Sequence, residues 1–150
     1  MKIYLIRHAE TEWNVSKRLQ GWGDGPLTEK GRLQSTKLGE RLKSIKFNSI
    51  YCSTSGRART TLSIALKDAN AEYLDSLREI SLGTWEGRSQ AEIEQENPVQ
   101  FDNFWHHPEH FSIDGGETFF DVYKRTGEVL RLLAQKEQND FIILSHTIAI

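Results

Sequence analysis

The chain has little with which to cross-link or anchor itself. It holds one cysteine, Cys52, among 150 residues, so an internal disulfide is excluded. That usage fits a reducing compartment, and a cytoplasmic location is expected. Lys2 is followed by only four apolar residues before Arg7, unlike the apolar stretch of a signal peptide. No apolar run approaches the roughly 20 residues that a membrane-spanning helix needs. Basic charge is not in excess either: 19 Lys and Arg stand against 21 Asp and Glu, for a formal net charge of -2. This argues against nucleic acid or an anionic membrane surface as a partner, and leaves any anionic substrate to be met by a local cluster of arginines. Repeats, linkers and low-complexity tracts are missing. What remains is an ordinary globular composition, 37% hydrophobic and 27% charged, enough for a single domain over 1–150 with its own core.

Strand-like and helix-like segments alternate. Lys2–Ile6 reads as a first strand and ends in Arg7-His8. Gly21-Trp22-Gly23-Asp24-Gly25-Pro26 is a glycine-rich loop. Thr28 has the character of a helix N-cap, with Glu29 favourable in the first turn and Leu38, Leu42 and Ile45 at helical spacing. Ser49–Cys52 predicts a second strand, and a helix opens at about Arg57 with Ala58, Leu62, Ala65 and Leu66 on its apolar face. Glu72–Leu74 predicts a third strand. The segment from Ser76 to Glu117 is less regular and holds a short helix near Gln90–Glu96 and an aromatic-rich piece, Phe101–Phe111. After Gly115-Gly116 comes a strong helix with Phe120, Tyr123, Leu130 and Leu133 among its apolar positions. Asp140–Leu144 reads as a strand covered on both faces. The pattern predicts an α/β fold of three layers, a mainly parallel sheet with helices on both sides.

Ligands bind such folds at the carboxyl edge of the sheet. Arg7 and His8 fall there. So do Arg57, which opens a helix whose free N–H groups suit phosphate, and Ser145-His146 after the last strand. Glu79 lies in a loop beyond the strand near Tyr73. Guanidinium groups grip phosphate oxygens, and a neutral imidazole can attack phosphorus. Two arginines, two histidines and a carboxylate at one edge point to phosphoryl transfer, which needs positioning and charge stabilisation and no metal.

The sequence resembles the histidine phosphatase superfamily, the phosphoglycerate mutase-like proteins. The resemblance is carried by Arg7-His8-Ala9-Glu10-Thr11-Glu12-Trp13-Asn14, by Leu27-Thr28-Glu29-Lys30-Gly31, and by Ser53-Thr54-Ser55-Gly56-Arg57-Ala58-Arg59-Thr60-Thr61. It continues through Leu77-Arg78-Glu79-Ile80-Ser81-Leu82-Gly83-Thr84-Trp85-Glu86-Gly87, then Gly115-Gly116-Glu117-Thr118, and ends in Ser145-His146. Within the superfamily it is most similar to the bacterial broad-specificity phosphatases. The resemblance implies a phosphoglycerate mutase-like fold and a metal-independent, cofactor-free phosphatase acting on a small phosphorylated metabolite. It implies that His8 carries the phosphoryl group and that Glu79 donates and accepts the proton. Arg7, Arg57 and His146, the last in a protonated form, are expected around the phosphate. Thr11, Asn14, Gln20 and Gly21 are expected to complete the substrate contacts, and 80–116 to form a cap over the site.

Ala9 and Thr147 stand where the family mostly has glycine. Family members continue for a helix and further strands after the second histidine, so a shortened chain is expected here, with an uncovered sheet that favours a homodimer. A phosphoglycerate mutase and a non-catalytic phospholigand-binding module are the alternative functions. The His106-His107-Pro108-Glu109-His110 cluster is expected to be a surface or cap segment, because Pro108 breaks the helical spacing of a two-histidine zinc site. Trp22, Trp105, Phe111 and Phe119 are divided between core and substrate mouth, and Cys52 is expected in the core.

Overall fold

A computed structural model describes all 150 residues. The four strands are β1 (Ile3–Arg7), β2 (Ser49–Ser53), β3 (Glu72–Leu74) and β4 (Phe141–Ser145), and they lie in the order β1-β4-β2-β3. Every pairing is parallel: Ile3 stands opposite Phe141, Ser49 opposite Phe141, and Tyr51 opposite Glu72. The central strand β4 is buried along its whole length, as its unbroken apolar run requires.

Alternate residues of the sheet feed two separate cores. Ile142 and Leu144 join Ile50 and Cys52 beneath α2 (Glu29–Leu42) and α3 (Gly56–Ala65), against Leu42, Ala58 and Leu62. Phe141, Ile143 and Tyr51 face the other way, onto Val129 and Leu133 of α6 (Phe119–Lys136). The three layers expected from the sequence are therefore present. Thr28 caps α2, its Oγ1 accepting from Gly31 N at 2.9 Å. Burial at Cys52 is complete and pushes its thiol up to about 12, far from a nucleophilic thiolate.

Between β3 and α6 the chain builds a third core at the rim of the sheet. Here lie α4 (Gln90–Glu96) and α5 (Pro98–His106), whereas the short α1 (Glu12–Val15) follows β1. Trp85, Ile93, Phe104 and Phe111 pack with Leu19, Ile80, Leu82 and Val122, and the rings of Phe104 and Phe111 meet edge-on at 5.1 Å. Phe111 belongs to the core, Phe119 is half-buried against it, and Trp22 and Trp105 are exposed. His106, His107 and His110 lie at the exposed end of α5, where His106 Nδ1 pairs with Asp102 at 2.8 Å.

Half of the apolar positions expected on α6 meet the sheet: Leu133 is buried and Leu130 packs against the same core. Phe120 and Tyr123 are 70% and 74% exposed, while Val122, Thr126, Val129 and Leu133 form the buried face. The helix carries apolar residues on two sides, and periodicity alone does not say which side meets the sheet. The outer face of β1 is also open, with Ile3 and Leu5 exposed while Tyr4 and Ile6 pack beneath α2 and α3. No helix is long and apolar enough to cross a membrane.

Two helical glycines make a direct test of this packing. A Cβ on Gly31 would collide with the Glu10 carbonyl oxygen, whereas a Cβ on Gly127 of α6 would meet nothing. Gly31→Ala should lose about 2 kcal/mol of unfolding free energy and Gly127→Ala should gain about 0.5–1 kcal/mol, read from urea midpoints.

Candidate active site

The register of β1 on β4 sets Arg7 beside Ser145, so the two histidines that follow emerge together at the carboxyl edge. The backbone N–H of His8 donates to the Ser145 carbonyl at 3.0 Å, and the two imidazole rings lie 5.2 Å apart, tilted by 50°. His8 Nδ1 sits 2.8 Å from the Ala9 carbonyl oxygen. A carbonyl can only accept, so Nδ1 holds the ring proton and Nε2 keeps its lone pair. The ring is 7% exposed. Burial, then the nearby charge of Arg57, with a smaller effect from Arg7, pushes its pKa down to about 4.

His146 is fully buried and does not line the cavity in front of His8. Its Nε2 lies 2.7 Å from Ser53 Oγ and 3.3 Å from Ser55 Oγ, and its Nδ1 has no partner. Burial drives its pKa down strongly, and Arg57 and His8 add to the effect. The expected imidazolium is thus corrected to a neutral ring.

Arg57 enters from the first turn of α3 and is 2% exposed. Its Nη1 donates to Gly23 O at 2.7 Å and to Asp24 Oδ1 at 2.8 Å, and its Nη2 to Gly21 O at 2.9 Å. The glycine-rich loop is therefore a collar for this guanidinium. Gly21 holds φ +51°, and a Cβ there would press on Glu86 Oε1 and Leu82 N. Asp24 also accepts from Gly56 N at 2.7 Å and Arg57 N at 3.2 Å. The expectation that this helix start offers free N–H groups to phosphate is corrected: a carboxylate from the loop already occupies it, at the positive end of the helix dipole.

Glu79 approaches from the opposite side. Its carboxylate accepts from Ile80 N at 3.0 Å and Ile148 N at 3.2 Å. Burial raises its pKa more than these N–H groups and Arg57 lower it. Its backbone is held from behind: the Glu79 carbonyl accepts from Trp22 Nε1 at 2.9 Å and from Arg125 Nη2 at 2.8 Å. Arg78 stacks over the Trp22 ring, 4.1 Å from its centre.

Together these side chains enclose a cavity of about 300 Å³. Arg7, His8, Asn14, Gln20, Gly21, Arg57 and Glu79 line it, as the sequence led us to expect. Thr11 does not. It is fully buried, its Oγ1 lying 3.0 Å from both Asn14 Oδ1 and Gln20 Oε1, so it positions two lining residues and touches nothing in the cavity. Asn14 spends its Oδ1 on the capping box of α1 while lining the cavity. The wall also carries residues not anticipated as contacts, Arg18, Gln90, Phe104 and Ile148, together with Trp105 and Thr147. Thr147 thus stands in the cavity wall where a glycine would have left more room.

Comparison with known proteins agrees with this geometry. The profile of the histidine phosphatase superfamily (branch 1) matches residues 3–150. A Salmonella choleraesuis protein named probable phosphoglycerate mutase GpmB is 31% identical over all of this chain and 71% of its own length. Bacillus stearothermophilus YhfR superposes with a TM-score of 0.92 at 43% identity, over 98% of this chain and 74% of that one. The α-ribazole phosphatase of Shigella flexneri gives 0.88 at 28% identity, over 97% and 74% of the two chains. The phosphoserine phosphatase of Entamoeba histolytica gives 0.84 at 28% identity, over 98% and 74%. With its profile matched from the first strand to the last residue and its two histidines side by side on parallel strands, the chain belongs to the histidine phosphatase superfamily.

Proposed function

We propose that the chain hydrolyses small phosphomonoesters in two steps through a phosphohistidine on His8. The observation that carries this reading is the state of His8: a buried neutral imidazole with its proton fixed on Nδ1 and two arginines at hand. In the first step the Nε2 lone pair attacks phosphorus, and the bond from phosphorus to the ester oxygen breaks. The protonated carboxyl of Glu79 gives its proton to the departing alcohol. In the second step a water attacks the phosphohistidine, the phosphorus–nitrogen bond breaks, and the Glu79 carboxylate takes the water's proton. Inorganic phosphate leaves, and both groups return to their starting states. Arg7 and Arg57 offset the charge on the transferring oxygens, and neutral His146, held on Ser53 and Ser55, packs behind the His8 ring. No step calls for a metal.

The 80–116 segment acts as a cap, and its exposed Trp105 with Phe104 gives the leaving-group side an apolar, ring-shaped wall. Arg18 and Gln90 on the same wall suit a leaving group that is flat and carries a polar or anionic substituent. A mutase reading is favoured by the name of the Salmonella relative. The two readings separate on whether labelled phosphate from a phosphoglycerate appears free or on the neighbouring hydroxyl.

Four outcomes are expected. His8→Ala should lower kcat on an aryl phosphate in EDTA about 10⁴-fold or more; residual turnover near wild type would remove the phosphohistidine. In wild type, kcat should fall as pH rises through the raised pKa of Glu79, because the acid form is then lost, while His8 stays competent down to about pH 4. Glu79→Gln should slow the reaction roughly 10²-fold and abolish that alkaline fall. Trp105→Ala should raise KM for aryl phosphates about tenfold, near 1.4 kcal/mol, with less effect on phosphoserine.

A further inference from the structure

One ion pair outside the cavity is built differently from the rest. The Arg125 guanidinium, on α6, spends its donors on two targets. Nε and Nη2 grip both oxygens of Glu117 at 2.7 and 2.9 Å. Nη1 donates to the carbonyls of Ser76 and Arg78 at 2.9 and 2.7 Å, and Nη2 to that of Glu79 at 2.8 Å. Glu117 completes the arrangement by accepting from Ser81 N at 2.8 Å. A single pair therefore fixes four backbone groups within the six residues 76–81, and Glu79 lies in the middle of them.

Neither partner faces the cavity. Other groups hold the same loop at single points: Trp22 Nε1 on the Glu79 carbonyl at 2.9 Å, Ser145 Oγ on that of Leu77 at 2.6 Å, and Glu117 N on that of Ser81 at 2.8 Å. An irregular loop has no ladder of its own to fix its carbonyls, and burying those carbonyls unpaired is costly. The planar guanidinium meets three of them at once in a set geometry, which an ammonium could not do.

We propose that Arg125 and Glu117 form a positioning unit for the proton donor: they set the reach and angle of Glu79 and thereby govern protonation of the leaving group. The proposal rests on the reading of Glu79 given above. A proton donor displaced by even an ångström loses much of its effect, whereas binding and nucleophilic attack at His8 do not depend on it.

The test compares two aryl phosphates of similar size that differ in how readily the phenol departs. p-Nitrophenolate leaves without a proton, while phenolate from phenyl phosphate needs one. In the full chain, Arg125→Met should lower kcat/KM for phenyl phosphate about tenfold more than for p-nitrophenyl phosphate. Glu79→Gln should show the same split. If Glu79→Gln shows no split, the proton-donor reading itself fails. If Glu79→Gln shows it and Arg125→Met lowers both substrates equally, or neither, the positioning role is overturned while the proton-donor reading stands. Should Arg125→Met fail to fold, Glu117→Gln, which keeps the shape and loses the charge, is read by the same ratio, and an equal loss on both substrates overturns the proposal. Arg125→Lys should recover less than half of the split, since it restores charge without the fork.

Discussion

Arg57 carries a full charge to a place that water barely reaches, and much of the surrounding chain is shaped by what that demands. A buried guanidinium must have its donors met and its charge balanced, or it destabilises the fold by several kcal/mol. Two glycine carbonyls and Asp24 take up Nη1 and Nη2 and balance the charge, while Nε is left without a partner. The glycine-rich loop bends as it does in order to aim those carbonyls inward. Asp24 then ties the loop to the start of α3 through two backbone N–H groups. Thr61, one turn further along α3, accepts from the Ala9 N–H at 3.0 Å and so links the same helix to the residue after the nucleophile. The phosphate clamp, the loop and the nucleophile's strand are thus one connected piece.

The same desolvation acts on the reacting groups with opposite sign and a common result. It lowers the pKa of His8 and His146 and raises that of Glu79. In each case the neutral form gains, because a low-dielectric site disfavours charge of either kind. A nucleophile needs to be unprotonated and a proton donor protonated, and those are the two neutral forms. One physical cause therefore prepares both partners over the same range of pH, with the arginines reinforcing it at the histidines and opposing it at the glutamate.

Much of this was legible in the sequence. Residues that act from a strand end are visible because the strand is: an apolar run followed by Arg7-His8 or Ser145-His146 announces its own position. Arg57 and Glu79 were found for the same reason, with the superfamily resemblance assigning their roles. Asp24 and Arg125 were missed, since their value lies in contacts with segments 33 and some 46 residues away that no local pattern records. Thr11 was placed in the cavity because it lies among residues that are there, but the capping turn of α1 rolls its hydroxyl inward. Phe120 and Tyr123 misled for a different reason. Leu130 and Leu133 from the same expectation do reach the core, but apolar spacing does not show that the first turns of α6 turn Val122 and Thr126 inward and leave Phe120 and Tyr123 outside.

The order of the strands has a consequence for how the molecule comes into being. β1 is the first strand made, yet its only neighbour in the sheet is β4; Lys2 and Asp140, bonded to each other at the entrance to these strands, are 138 positions apart. During synthesis β1 must wait, apolar and unpaired, until β4 has been made, as far along the chain as Asp140 lies from Lys2. Loop-closure entropy opposes so distant a pairing, and exposed strand edges in that interval invite mispairing with other chains. The nucleophile and its neighbouring histidine meet only when that pairing closes, so a half-made or half-unfolded molecule has no phosphate site at all.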